Sequence, residues 1–503
     1  MNKISTVSLL LSTVIYFGSC VDEQELVLDN NEIRTEKIDL TQEELNSIAY
    51  DNLSEISEEE VFSMVANFVN QRNEKAKTRS ASIPKMTVRK KSYLGRQAGA
   101  VVTKSSCLMD SIPIYDVVVN NEDKTSYAVV SADKREPGVL VFFDNFPIDE
   151  KKIQEGLNHP NTKAIMSLSK GELIQNVETI EEAKRNLRER TVAKICKKFN
   201  IPVSEYSFEN LVDKICVDGG KVVTRNHQGT QDPIGNFVAE KKPMCQIVWE
   251  QKPPYNGECP MGKILISLGE YSFVADANVP AGCVTIACIH AHACVETPNI
   301  GGIPMRWSYY KSTKVLNEHE TSATEFERAR KAIRHIYDEL KCSPIYAYHE
   351  GEQYVHSTGS TLGEDYIMKN FNYQKKQTFD PDVVLASLNA NKPIYVSGEV
   401  YGNQEENPDS YGWEGHAFVI DGYIIQTKTP LVYSIQQVAQ TKSDIVQYYD
   451  MYWHINLGWG DNSNAYFKLD SDATCTPQFF DKYGRYNLVP LKNMTIITHL
   501  SVK

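Results

Sequence analysis

Four short segments of this 503-residue chain hold side chains suited to covalent catalysis. The first is Pro280-Ala281-Gly282-Cys283-Val284-Thr285-Ile286-Ala287-Cys288. A cysteine attacks as its thiolate, which requires a lowered pKa and some exposure. A helix N-terminus favours the anion through unpaired N–H groups and the helix dipole. Pro280 and Gly282 end a loop, and a small-residue, largely apolar run opens after Cys283. The pattern predicts a turn feeding a buried helix with Cys283 at its start, although a single cysteine is more often an inert buried residue. The second segment, Gly415-His416-Ala417-Phe418-Val419-Ile420-Asp421-Gly422, offers His416 as a base, one of 11 histidines. The third, Trp453-His454-Ile455-Asn456-Leu457-Gly458-Trp459-Gly460, reads as a strand ending in a Gly/Trp turn. If those two strands pair, Asn456 is placed to hold the His416 tautomer. In the fourth, Trp249-Glu250-Gln251-Lys252-Pro253-Pro254-Tyr255-Asn256, the Gln251 amide is suited to meet a developing oxyanion together with the backbone N–H of Cys283.

The elements that must position these residues are readable in outline. Hydrophobic content of 41% and charged content of 23% are those of a globular protein, long enough for about two to four domains. The net charge of −12 argues against nucleic-acid binding, which needs clustered Lys and Arg. Ser57 with Glu60 forms a capping-box pattern, and Val61, Phe62, Met64, Val65, Phe68 and Val69 then share one helical stripe. Residues 112–148 read as short strands, clearest at 127–133 and 139–143, and a charged helical region follows from about Gly171 to Lys198. Residues 21–56 are acidic and weakly periodic, which predicts a tether, and the Gly, Pro, Asn and Lys of 218–243 predict an exposed linker. Beyond Cys245, Phe326, Ala329, Ile333, Ile336, Tyr337 and Leu340 mark an amphipathic helix, and the chain after Pro393 turns β-rich. Helices followed by strands suggest an α+β fold.

Taken together, the four catalytic segments resemble the streptopain family of papain-like cysteine proteases. The long Gly-His-Ala-Phe-Val-Ile-Asp-Gly run carries most of that resemblance, and Asn-Ala-Tyr-Phe-Lys-Leu-Asp at 464–470 extends it. It spans roughly 245–475 and implies nucleophile Cys283, base His416, oxyanion donor Gln251 and orienting residue Asn456. The implied fold is a papain-like domain at 244–503, a helical part plus an antiparallel β part. The strand at 127–133 with Lys134-Arg135-Glu136-Pro137 resembles the family's inhibitory propeptide, which makes 57–217 a small α+β propeptide region and 218–243 the processing segment. The implied activity is a cysteine endopeptidase made as a zymogen, acting on proteins or peptides through a thioester, with its own propeptide as inhibitor and no cofactor. Two departures stand out: the family's usual Trp after the Asn is Leu457 here, and the stretch around 428–449 is an apparent insertion. A catalytically weak or dead binding module on the same fold is the alternative that Leu457 supports. Trp413 and Tyr411 either line the cleft or cover the core.

Cys288, His290, His292 and Cys294 form a second group of soft ligands. On a helix they do not converge on one ion, whereas on a strand they would. Setting aside Cys20 and Cys283, the remaining cysteines are odd in number, so not all pair internally. Near the start, Lys3 precedes an apolar run from Val7 to Phe17, too short for a bilayer span, which reads as a signal peptide over 1–19. Gly18-Ser19-Cys20 resembles a lipobox, and Asp22, Glu23 and Glu25 resemble the surface-export signal of lipoproteins from Bacteroides and relatives. The expectation is an exported outer-membrane lipoprotein, anchored through a lipid on Cys20, on the cell surface or in the periplasm, its mature domain open to release. Ordinary cleavage beside an incidental Cys20 is the alternative.

Overall fold

Strand Thr125–Ser131 is buried at every position because its alternate side chains feed two different cores. Tyr127 and Val129 join a core on one face, Ala128 and Val130 a core on the other. A strand covered on both sides reads as a near-continuous apolar run, the pattern its sequence shows. In the computed structural model it belongs to an 11-stranded sheet, whose hydrogen-bonded order begins Lys375–Thr378, Leu491–Thr498, Ile394–Tyr401, Trp413–Thr427, Tyr449–Asn456 and Ala465–Lys468. It continues without a break through Gly138–Phe146, Thr125–Ser131, Ser111–Asn120 and Lys85–Gly95. The N-terminal and C-terminal halves meet at a short antiparallel seam, Tyr466 opposite Phe142 and Phe467 opposite Val141. The ladders between neighbours in this order are antiparallel, and helices pack on the faces, an α+β arrangement. The structure describes residues 36–50, 55–70, 85–95, 111–120, 125–146, 157, 160–217, 220–224, 237–268, 271–317, 319, 321–401, 413–427, 432–435, 449–460, 464–469 and 491–503. Residues 38–503 form one compact unit; of the other unit, 1–37, only Glu36 and Lys37 are described.

Helix Glu58–Asn70 starts where the capping box predicts. The Ser57 N–H donates to Glu60 Oε2 at 2.9 Å and the Glu60 N–H to Ser57 Oγ at 3.2 Å, satisfying two orphan donors at once. Its stripe buries Val61, Met64, Val65, Phe68 and Val69. Phe68 packs on Phe142 at 4.8 Å and edge-on to Tyr452 at 4.9 Å and Tyr466 at 6.3 Å. One aromatic ring from the N-terminal half is thus seated on strands of both halves. The charged helix runs longer than its pattern suggests, Pro160–Phe199. It crosses from the main core (Ile165, Leu173, Val177) to a small separate one (Val192, Ile195, Cys196), so no single stripe serves its whole length.

Two segments read as structureless contain short elements. Within the expected tether, Ile38–Leu40 is a strand and Gln42–Ile48 a helix, burying Ile38, Leu40, Leu45 and Ile48. Within the expected linker, Gly220–Thr224 and Phe237–Lys241 are strands, while 218–219 and 225–236 lie outside the described residues. Elements of three to seven residues are held by their neighbours, and their own periodicity is too brief to announce them. The apparent insertion contributes a strand of its own, Val432–Ile435, paired with Gly220–Thr224. A four-stranded sheet, ordered Ile38–Leu40, Ile215–Val217, Gly220–Thr224 and Val432–Ile435, thereby joins the two halves a second time. The signal segment, Cys20 and Tyr411 lie outside the described residues, as does most of the insertion. Among the described residues no helix is long and apolar enough to cross a membrane.

The seam also buries charge. Lys468 Nζ lies 2.7 Å from Asp450 Oδ1 and 3.4 Å from Glu136 Oε1, all three side chains less than a tenth exposed. Glu136 belongs to the N-terminal half, so separating the halves uncovers a paired ion. Phe68→Ala should cost about 3–5 kcal/mol, as for other buried aromatic truncations. Urea unfolding of the full chain checks this; an unchanged midpoint would show that the ring is not part of a cooperative core.

Candidate active site

Helix Cys283–Val295 is mostly apolar, and its residues from Val284 to Ala293 are buried, the condition of a helix enclosed on every side. Its N-cap, Gly282, has φ 84° and ψ 147° and provides no side-chain cap. A side chain there would be strained, and its Cβ would come within 2.5 Å of the Thr358 carbonyl oxygen. The sequence therefore delivers Cys283 at the first helical position, where backbone N–H groups and the dipole favour an anion. Cys283 is partly exposed while the helix behind it is buried.

The helix packs on strand Trp413–Thr427, and this contact brings Cys283 to the backbone next to His416. Cys283 Sγ lies 4.0 Å from the carbonyl oxygen of Gly415, the residue before His416. His416 is buried, and its Nε2 has no hydrogen-bond partner among the described residues. Burial lowers its pKa from 6.5 to about 3, so the ring is neutral in this state.

Gln251 joins the same corner through its backbone, the Ala281 N–H donating to the Gln251 carbonyl at 2.9 Å. Its side chain is fully buried, yet neither amide atom has a hydrogen-bond partner among the described residues. An unsatisfied buried amide is rare and costly, and this one is tied by backbone to the turn that precedes Cys283. Trp249, packed against Tyr255 at 5.9 Å and Tyr310 at 5.2 Å, anchors this loop. A bridge between Glu250 and Trp459 ties the loop to the Gly/Trp turn.

Asn456 is placed differently. Its strand does pair with the His416 strand, but in a register that sets Asn456 opposite Val419. Its amide donates to the Ile247 carbonyl at 3.4 Å and accepts the Gly458 N–H at 3.2 Å. In this state Asn456 therefore braces the Gln251 segment and the turn. Leu457 is buried in the main core. Trp413 opens the His416 strand.

The soft-ligand run falls on a helix, as its small residues imply. His292 uses Nδ1 with Thr297 Oγ1 and Nε2 with Tyr366 Oη, both at 2.9 Å. Cys294 instead lies beside Cys245 and Asp421, so the four do not share a centre.

Asp421 has a part that the motif alone did not reveal. Fully buried, it accepts the Cys245 N–H at 2.7 Å through Oδ2 and bonds His454 Nδ1 at 2.6 Å through Oδ1. Its own carbonyl accepts the Met244 N–H at 3.0 Å. Gly422 follows because the arm passes so close that a Cβ would come within 2.7 Å of the Lys241 carbonyl oxygen. This anchor fixes the arm leading to Gln251 against the strand carrying His416. The signal was present as a polar residue inside an apolar strand, which is buried only with partners.

One corner of the structure thus holds a cysteine at a helix start without a side-chain cap, a buried histidine next in chain to the carbonyl it approaches, and a glutamine amide without a hydrogen-bond partner among the described residues. Residues 249–467 match the model of the Peptidase C10 family. The chain thus carries a domain of that family, the streptopain family, and is a cysteine peptidase. No curated protein matches the chain.

Asp421→Ala leaves the Cys245 N–H and His454 Nδ1 unpaired, which should cost about 1–3 kcal/mol of stability and lower kcat more than it raises KM. Asp421→Asn, which keeps an acceptor, should recover part of both. Urea unfolding and peptide-cleavage kinetics measure the two effects.

Burial also holds His290, His292 and His416 neutral, each with its pKa lowered from 6.5 to about 3. The unfolded chain takes up these protons near pH 6.5 and the folded chain only near pH 3. Stability contributed by the neutral rings is therefore complete above pH 6.5 and declines as pH falls towards 3. The urea midpoint should drop across that window, with a shallower slope for His292→Gln.

Proposed function

We propose that the chain is the precursor of a secreted cysteine endopeptidase of papain-like fold, held inactive by its N-terminal half until it is cut. The observation that carries the catalytic reading is the fully buried Gln251 amide without a partner, tied by backbone to the turn that presents Cys283. In the proposed reaction the Cys283 thiolate attacks a peptide carbonyl. The oxyanion is met by the Gln251 amide N–H and the Cys283 backbone N–H. His416 hands the thiol proton to the departing amine, leaving a thioester. Water, deprotonated by His416, then attacks that thioester and restores the thiol. The scheme calls on no metal or organic cofactor, and its substrates are proteins or peptides.

The zymogen reading is supported by the state of the base and by the seams. A Cys–His ion pair needs a protonated imidazole, whereas burial keeps the His416 ring neutral here. The N-terminal half shares the main sheet at Phe142 and Tyr466 and the small sheet at Val223 and Tyr433. A tethered blocker acts at high effective concentration, and the stretch 218–243 is the proposed place to cut it. Export, with a lipid on Cys20 holding the protein at the outer membrane, completes the reading from the N-terminal sequence alone.

Cys283→Ala and His416→Ala should each abolish peptide hydrolysis by the cleaved form. Gln251→Ala should retain activity roughly two to three orders of magnitude lower, as for other oxyanion donors. Substantial cleavage by Cys283→Ala would end the assignment. Cutting within 218–243 should switch on an otherwise nearly silent full-length chain, and adding back the N-terminal fragment should silence it again. Equal rates before and after cutting would leave the N-terminal half as a spacer.

A further inference from the structure

We infer that Cys245 and Cys294 are a disulfide-forming pair that staples the N-terminal arm of the catalytic half to the far end of the nucleophile's helix. Both are thiols in this structure. Their sulfurs and a carboxylate oxygen of Asp421 all lie within 4.8 Å of one another. The approach is enforced by anchored backbone on both sides. The arm is pinned at Met244 and Cys245 by two hydrogen bonds to Asp421, 3.0 and 2.7 Å long. Cys294 stands in the last turn of a 13-residue helix closed by Glu296 in the left-handed conformation. Cys245 is buried and Cys294 partly so.

A metal centre is the other use for such a group, and the carboxylate argues against it. Both Asp421 oxygens are already engaged, one by the Cys245 N–H and one by His454. Two sulfurs remain, short of the four ligands of a structural zinc site. Oxidation asks for less: each thiol gives up its hydrogen, and an S–S bond of about 2.05 Å forms. The two electrons and two protons pass to a small disulfide oxidant, which is reduced to two thiols. Burial, and then contact with the Cys245 sulfur, push the Cys294 thiol well above its ordinary pKa. Cys294 in its reduced form therefore presents little thiolate to outside reagents.

The bridge would act on the site through rigid elements. Cys294 lies on the helix that begins with Cys283, and Cys245 lies six residues before Gln251. Linking them fixes the oxyanion donor's arm to the nucleophile's helix at a point remote from both. It also closes a long loop, which constrains the unfolded chain.

The test uses the full-length Cys283→Ala chain, which removes the competing nucleophile. The folded protein is equilibrated with oxidised glutathione, denatured in excess alkylating reagent, digested and mapped by mass. The expected result is a linked pair of peptides holding Cys245 and Cys294, two hydrogens lighter than their sum and separated by reductant. The oxidised form should melt several degrees higher than the reduced one, and a further Cys294→Ser substitution should remove that difference. Recovery of both cysteines as alkylated thiols, or of either bridged to another cysteine, would overturn the pairing. So would stoichiometric zinc in the purified protein that is lost in the Cys294→Ser variant. The peptide map reads the unsubstituted pair, so it decides the matter even if that variant fails to fold, and it is independent of whether the enzyme cleaves peptides.

Discussion

A carboxylate taken wholly out of water must find partners, and Asp421 finds them on two separate pieces of chain. Its oxygens hold the Cys245 N–H and the His454 ring, and its backbone holds Met244. Burying a polar group is unfavourable unless it is hydrogen-bonded, so the geometry around it is narrowly specified. The arm to Gln251, the strand of His416 and the strand of Asn456 all leave this one point. A catalytic corner made of residues far apart in sequence needs such a common origin, because sub-ångström placement does not survive accumulation of error along flexible loops.

Around that origin the sheet and the helix divide the labour. The strand Trp413–Thr427 is covered on both faces: Phe418 and Ile420 face the main core, Ala417 and Val419 the core under the nucleophile's helix. Its backbone is paired along both edges, first with Ile394–Tyr401 and then with Phe237–Lys241 on one side, and with Tyr449–Asn456 on the other. The helix can be buried from Val284 to Ala293 because what it touches there is protein, while Cys283 at its start is partly exposed.

The parts legible in the sequence were those whose cause is local. The Ser57–Glu60 cap, the Val61 to Val69 stripe, the strand within 127–133 and the loop-to-helix turn at Gly282 each require residue types within a few positions of one another. The segments that carry Cys283, His416 and Gln251 stood out for the same reason, as each sets particular side chains in a short run, and the fold brings those segments to one corner. Asp421 was not, since its main-chain partner at Cys245 is 176 positions away. Asn456 depended on a strand register that periodicity does not set, and pairing placed it opposite Val419. The short strands at Ile38–Leu40, Gly220–Thr224, Phe237–Lys241 and Val432–Ile435 owe their existence to the neighbours they complete.

The two-residue seam between Gly138–Phe146 and Ala465–Lys468 bears on what a free catalytic half would look like. Without the N-terminal strands, Ala465–Lys468 becomes an edge strand, and open N–H and C=O groups there invite pairing with any extended chain. Lys468, now neutralised by Glu136 and Asp450, would then stand at that edge with one acidic partner gone. A charge held at a strand edge is one of the devices by which sheet proteins discourage unwanted neighbours. The ammonium that closes the seam in the intact chain would thus guard the solubility of a C-terminal half separated from it.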